Sequence, residues 1–165
     1  MTRPNDQTGL SANAAEGLRI GLAVSTYHAE ITSSMRRAAE SAFQNAGGRA
    51  EELFIVEAPG AFELIAICRA LAEREDLDAI VALGCVIRGE TRHDRAIVAA
   101  VAQALGSIII DTGIPIGFGV LTCETYEQAK ERAGGSKGNK GEEAMRAAIA
   151  TALAIDAIAQ EEELA

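Results

Sequence analysis

The chain has no tryptophan, two tyrosines and four phenylalanines, so aliphatic side chains carry most of its 48% apolar content. Ala, Ile, Leu and Val in that excess suit helices packed on a sheet. Cysteine is scarce, with Cys68, Cys85 and Cys123 far apart and no CxxC spacing. Neither a zinc site nor a disulfide framework is indicated, and the three read as buried thiols of a reducing cytosol. Long apolar runs are missing too. The longest uncharged stretch, 96–110, has 15 residues, where a bilayer span takes about 20, so it reads as core. Residues 1–17, MTRPNDQTGLSANAAEG, hold no apolar segment and read as a loose polar tail. Positive charge is short, with 15 Lys and Arg against 24 Asp and Glu, a net charge of −9. That balance argues against nucleic acid or an anionic membrane as partner, but leaves room for a small anionic ligand in a local cationic pocket. Histidine occurs twice, at 28 and 93.

The 165 residues suit one domain. Apolar runs at 18–25, 53–56, 77–87 and 114–121 read as buried strands. A helix over 31–46 is marked by Ile31, Met35, Ala39, Ala42 and Phe43 at helical spacing, and Gly47-Gly48 ends it. Helices follow at 61–74, 91–104, 124–132 and 142–160. The stretch 108–110, III, is expected as a short strand or an extended entry. GGSKGNKG at 134–141 is expected as a loop, and the acidic residues 161–165 as a solvated end. Strands alternating with helices predict a parallel sheet covered on both faces. Such sheets bind ligands at the carboxyl ends of their strands, which directs attention to the turns at 25–30, 57–63 and 87–94.

Each turn carries candidate chemistry beside a plainer reading. In VIRGETRHD, Gly89 allows a sharp turn, Thr91 is a candidate N-cap, and His93 falls at a helix start whose free N–H groups attract anions. A solvated polar turn is the plainer reading. In EAPGAFEL, Pro59-Gly60 forces a turn and places Glu63 in the next first helical turn, for sugar-like hydroxyls or for the helix dipole. Lys130, Arg132, Lys137 and Lys140 cluster around glycines that suit a phosphate, or form a flexible basic loop. That loop is not a P-loop, and GFG at 117–119 lacks the third glycine of a dinucleotide fingerprint. Phe118 is core or the lip of a pocket. Tyr27-His28 can stack on a planar ligand or cover the end of the sheet.

In order and spacing, PGAFE (59–63), GCVIRGETRH (84–93), IPIGFGVLT (114–122), EQAKERAG (127–134) and GNKG (138–141) resemble the lumazine synthase family over 18–159. The resemblance implies a three-layer α/β/α sandwich with a four-stranded parallel sheet, flavodoxin-like, over 18–160. It implies a transferase of riboflavin biosynthesis in the cytoplasm. That enzyme joins 5-amino-6-(D-ribitylamino)uracil to 3,4-dihydroxy-2-butanone 4-phosphate, giving 6,7-dimethyl-8-ribityllumazine, phosphate and water, with no metal or organic cofactor. It further implies pentamers, in many members sixty-subunit icosahedral shells, with sites between neighbouring subunits. By resemblance, His93 is the proton-transfer residue; Glu90, Thr91 and Arg132 hold phosphate; Ala61, Phe62 and Glu63 contact the ribityl chain. Cys85, Val86 and Ile87 line the pyrimidine, Phe118 forms an apolar wall from the neighbour, and Lys140 lies near the site. Two departures stand out. STYHAE occupies the place of the family's RFN or RWH, making Tyr27 the stacking candidate, and Asp94-Arg95 replaces an aromatic and an acid after His93. A flavin- or lumazine-binding or shell-forming relative with weak catalysis is the alternative reading; the presence of both His93 and Arg132 favours the enzyme. A flavodoxin-like electron carrier is disfavoured, because no Ser/Thr-rich phosphate loop follows the first strand.

Overall fold

The computed structural model describes residues 9–90 and 93–163. Four parallel strands, β1 Ile20–Ser25, β2 Leu53–Ala58, β3 Ala79–Ile87 and β4 Ile116–Cys123, form a sheet in the order β2-β1-β3-β4. Parallel neighbours cannot be joined by a tight turn, so helices cross between them. These are α1 Ala29–Asn45, α2 Leu64–Ala72 and α3 His93–Thr112; α4 Tyr126–Arg132 and α5 Lys140–Glu163 follow β4. The period-two alternation of strand side chains sends Ile20, Leu22 and Val24 of β1 into one core with α1 and α5, and Ala23 into another with α2 and α3. The result has the parallel sheet covered on both faces that the alternating pattern predicts, in the three-layer, flavodoxin-like α/β/α sandwich that the resemblance implies.

Local signals explain the boundaries. Gly47 sits at φ +91 and Gly48 N–H donates to the Phe43 carbonyl at 3.0 Å, a left-handed cap that stops α1 at the expected glycines. The expected strand or entry at 108–110 is instead helical, inside α3. Three β-branched residues suggest a strand, but no proline lies between 104 and 112, and the one glycine there, Gly106, is carried within the helix. The helix runs on until Gly113, at φ +75, whose N–H bonds the Ile109 carbonyl. The expectation that 96–110 is wholly core also needs correction. Val101, Leu105 and Ile108 are buried, whereas Ile110 is 84% exposed. By length and composition α3 could cross a membrane, yet here its buried stripe packs in the α2-side core.

Four further expectations change. The helix expected from 61 begins at Leu64, because 61–63 form a turn after Pro59-Gly60. The loop at 134–141 contains a small antiparallel hairpin, β5 Ala133–Gly135 and β6 Gly138–Asn139. Ser34 Oγ of α1 donates to the Ala133 carbonyl at 2.6 Å, and Asn139 Nδ2 donates to the Ser34 carbonyl at 3.4 Å, tying the hairpin down. Finally, residues 9–17 are not loose where Ala14 and Ala15 enter the core; the Ala15 N–H donates to the Ala46 carbonyl at 2.7 Å. At the other end α5 continues through Glu163 rather than giving way to a tail at 161.

Close approach of layers requires glycine at two places. On β4, a Cβ at Gly117 would strike the Ala144 carbonyl of α5; on α5, a Cβ at Gly141 would strike the Met35 carbonyl of α1. Overpacking costs about 1–3 kcal/mol, so Gly141→Ala is expected to lower the unfolding free energy by about that much in urea titrations. Gly106→Ala, in α3 with nothing within 4 Å of the added methyl, should instead gain about 0.4–1 kcal/mol. Equal stability of Gly141→Ala and the parent chain would contradict the α1–α5 contact.

Candidate functional site

The carboxyl ends of β1, β2 and β3 frame a cleft of ≈ 400 Å³. Each wall comes from the turn after one strand. After β1 stand Tyr27 and His28, held by a hydrogen bond from the Thr26 N–H to the Ala58 carbonyl at 2.8 Å. After β2 come Ala61, Phe62 and Glu63. Glu63 occupies the N-cap position of α2 rather than its first turn, and makes no side-chain capping bond. Its carboxylate folds over Gly60, with Oε2 only 2.7 Å from where a Cβ on residue 60 would lie. The floor is Cys85, Val86 and Ile87 of β3, and beyond Gly89 the start of α3 adds His93, Asp94 and Ile97.

The cleft thus joins eight of the residues singled out from the sequence: Tyr27, Ala61, Phe62, Glu63, Cys85, Val86, Ile87 and His93. Glu90 lies exposed in the turn just before α3, and Thr91 lies outside the described residues. The other three are elsewhere. Arg132 and Lys140 meet Lys137 in a separate hollow of ≈ 280 Å³ beside Val120 and Thr122 of β4. Phe118 is 38% exposed on β4 and lines neither space. The two linings share no residue, so the cleft and the hollow are separate spaces on one chain. Sequence reasoning offered Tyr27-His28 for stacking but assigned neither His28 nor Asp94 to the site, and both line the cleft. The signal for His28 was its place beside Tyr27 at a strand end; for Asp94 it was the absence of the aromatic expected there. One Asp94 carboxylate oxygen is buried with no partner among the described residues.

Electrostatics differ between the halves. Arg132, Lys137 and Lys140 give the β4 hollow an excess of positive charge, although Glu143 pairs with Lys140 at 3.1 Å. Arg88, at the exit of β3, is tied to Glu124 at 2.6 Å and lines neither space. In the cleft floor, burial pushes the Cys85 thiol up to about 12, and nearby Cys123 adds to this. Burial likewise pushes Cys68 to about 12 and raises Cys123, against the opposing pull of Arg132. A thiol reacts as its thiolate, so Cys85 shapes the floor without supplying a nucleophile. At pH 8 the folded chain is expected to resist thiol-specific reagents such as Ellman's, and to show three reactive thiols only in denaturant. Rapid modification of Cys85 in the folded protein would contradict this burial.

The comparisons with known proteins converge. The model of the 6,7-dimethyl-8-ribityllumazine synthase family matches residues 17–156, a span that contains all four strands of the main sheet. The 6,7-dimethyl-8-ribityllumazine synthase of Thermus thermophilus is 42% identical over 146 residues, 88% of this chain and 93% of that protein. The synthase of Porphyromonas gingivalis is 40% identical over 139 residues, 84% of this chain and 86% of its own. That of Streptomyces avermitilis is 40% identical over 153 residues, 92% and 93% respectively. With the parallel sheet, the cleft at its strand ends and this similarity along nearly the whole length, the chain belongs to the 6,7-dimethyl-8-ribityllumazine synthase family, a transferase family of riboflavin biosynthesis.

Proposed function

We propose that this chain condenses 5-amino-6-(D-ribitylamino)uracil with 3,4-dihydroxy-2-butanone 4-phosphate to 6,7-dimethyl-8-ribityllumazine. The observation that carries this reading is the union, in one cleft, of His93 with the ends of β1, β2 and β3. The planar pyrimidine lies over Val86 and Ile87 against the ring of Tyr27. Its ribityl hydroxyls reach Glu63 and the 61–62 backbone. The ring amine attacks the ketone carbon and, with loss of water, gives a Schiff base. The C–O bond to phosphate then breaks, the ring closes, and a second water departs. His93 relays protons among the amine, the carbonyl oxygen and the leaving oxygen, which needs a base within hydrogen-bond reach of each.

The phosphate needs cations, and no Lys or Arg lines the cleft among the described residues. A dianion in a chain of net charge −9 must be offset locally, and Arg132 and Lys140 are the proposed donors, from the β4 hollow of a neighbouring subunit, with Phe118 of that neighbour as an apolar wall. Glu90 and Thr91 hold the phosphate from the α3 side. A bidentate guanidinium suits this task better than a lone ammonium. The separation of the cleft and the hollow on one chain supports a homo-oligomer, a pentamer or a sixty-subunit shell. So do the exposed apolar side chains Phe54, Ile110, Leu153, Ile155 and Ile158. A cytoplasmic location completes the proposal, in keeping with three free cysteines.

An absorbance assay of lumazine formation from the two substrates, against a no-protein control, tests the reaction directly. Formation well above the control is expected, and His93→Ala should slow turnover by about 10²–10⁴-fold, the usual contribution of a positioned acid or base, while the oligomer persists. A shared site adds a sharper expectation. His93→Ala and Arg132→Ala are each impaired alone; co-assembled in equal amounts, they should regain activity at about one quarter of the sites, because a heterologous interface pairs an intact His93 with a neighbour's intact Arg132. No recovery in mixed oligomers would place both residues in a site within one chain. No lumazine above the control, with flavin or lumazine still bound, would leave a binding or shell-forming relative instead.

A further inference from the structure

Tyr27 and His28 line the cleft, and Tyr126, the other tyrosine of this aromatic-poor chain, stands behind His28. The Tyr27 and His28 rings stand edge to face, with centroids 4.7 Å apart and planes at 76°. His28 in turn lies 6.3 Å from the ring of Tyr126, tilted by 54°. The Tyr126 hydroxyl donates to Glu30 Oε2 of α1 at 2.5 Å, which anchors the far end of the row. Tyr27 is 67% exposed, and His28 is its aromatic neighbour among the described residues.

His28 sits in the left-handed region, φ 56 and ψ 52, the one non-glycine residue to do so among the described residues. That conformation costs a non-glycine residue about 1–2 kcal/mol, and strain of this kind gathers at functional sites. Helix capping does not explain the imidazole. The backbone carbonyl of His28 accepts from the Ile31 and Thr32 N–H groups, while its side chain makes no capping bond. Glycine or asparagine would serve the backbone as well or better. Burial also lowers the pKa of His28 below its usual value, which favours the neutral ring over the charged one.

We propose that His28 is a positioning residue for the pyrimidine substrate: its ring buttresses Tyr27 edge-on, between Tyr126 and the cleft, and holds the phenol face ready to stack. The inference rests on the proposed synthase reading and deepens it, because it assigns a support to the unusual tyrosine platform. An edge-to-face aromatic pair contributes about 0.5–1.5 kcal/mol beyond its buried area. Losing it should therefore weaken pyrimidine binding by about three- to ten-fold.

The test is steady-state kinetics of His28→Gly, which keeps the left-handed turn and removes the ring. The KM for 5-amino-6-(D-ribitylamino)uracil is expected to rise by about three- to ten-fold, with the turnover number and the KM for the phosphorylated ketone retained. In a Tyr27→Ala background the same substitution should add nothing, since two residues acting through one contact are not additive. His28→Asn, which also tolerates this backbone conformation, replaces His28→Gly if the glycine variant fails to fold. An unchanged pyrimidine KM, or an equal rise with and without Tyr27, overturns the proposal. An inactive parent chain overturns the synthase reading itself and this inference with it; an active parent with a normal His28→Gly overturns the inference alone.

Discussion

The double-sided burial of β3 is the constraint on which the rest of this structure depends. The strand lies between β1 and β4, and Ala79 to Val86 are all buried. Helices α1 and α5 cover one face and α2 and α3 the other. A charge inside such a strand would lose its hydration without compensation, so the chain can carry polar chemistry only where the strands end. Dryness in the middle and reactivity at the carboxyl edge are thus two consequences of one packing arrangement. The cleft uses this directly, with Cys85, Val86 and Ile87 continuing the apolar strand to the floor and His93 opening the helix that follows.

The same architecture divides the site. Sheet order puts β4 at an edge, and the elements that follow it, α4, the β5–β6 hairpin and the start of α5, place Arg132, Lys137 and Lys140 beside β4 rather than over the cleft. The hairpin is fastened to α1 through Ser34, so its basic residues are set on a fixed support. On the proposed reading, oligomerisation then assembles a site, since an acidic chain presents its cations on one side and its proton-transfer histidine on another. The aromatic row from Tyr27 to Tyr126 belongs to the cleft side. On the same proposed reading, it gives the rim a surface for a planar ring.

What the residues alone determined follows from repeating pattern. Apolar runs without alternation mark strands buried on both faces, and helical spacing in 31–46 marks α1; both are local and survive any tertiary context. Glycines that end helices, at 47 and 113, act locally too, although only the first was legible as a stop. The cleft residues were legible because the strand-end turns concentrate Gly, Pro and polar side chains within a few positions of each apolar run. Similarity of order and spacing along the chain then identified the family.

Tertiary structure decided what depends on contacts between distant segments. Ile108–Ile110 have strand-like side chains, yet they continue a helix because packing of Val101, Leu105 and Ile108 outweighs a weak local preference. Ala14 and Ala15 become core only because Ala46 offers a carbonyl and the α1 side of the sheet offers space. The basic loop is a hairpin because Ser34, about a hundred positions away, holds it. His28 is a wall of the cleft, and Phe118, Arg132 and Lys140 stand apart from it. Those placements are set by a left-handed turn and by the order of strands across the sheet. Periodicity reports which face of an element is apolar; it does not report which element, or which copy of the chain, meets that face.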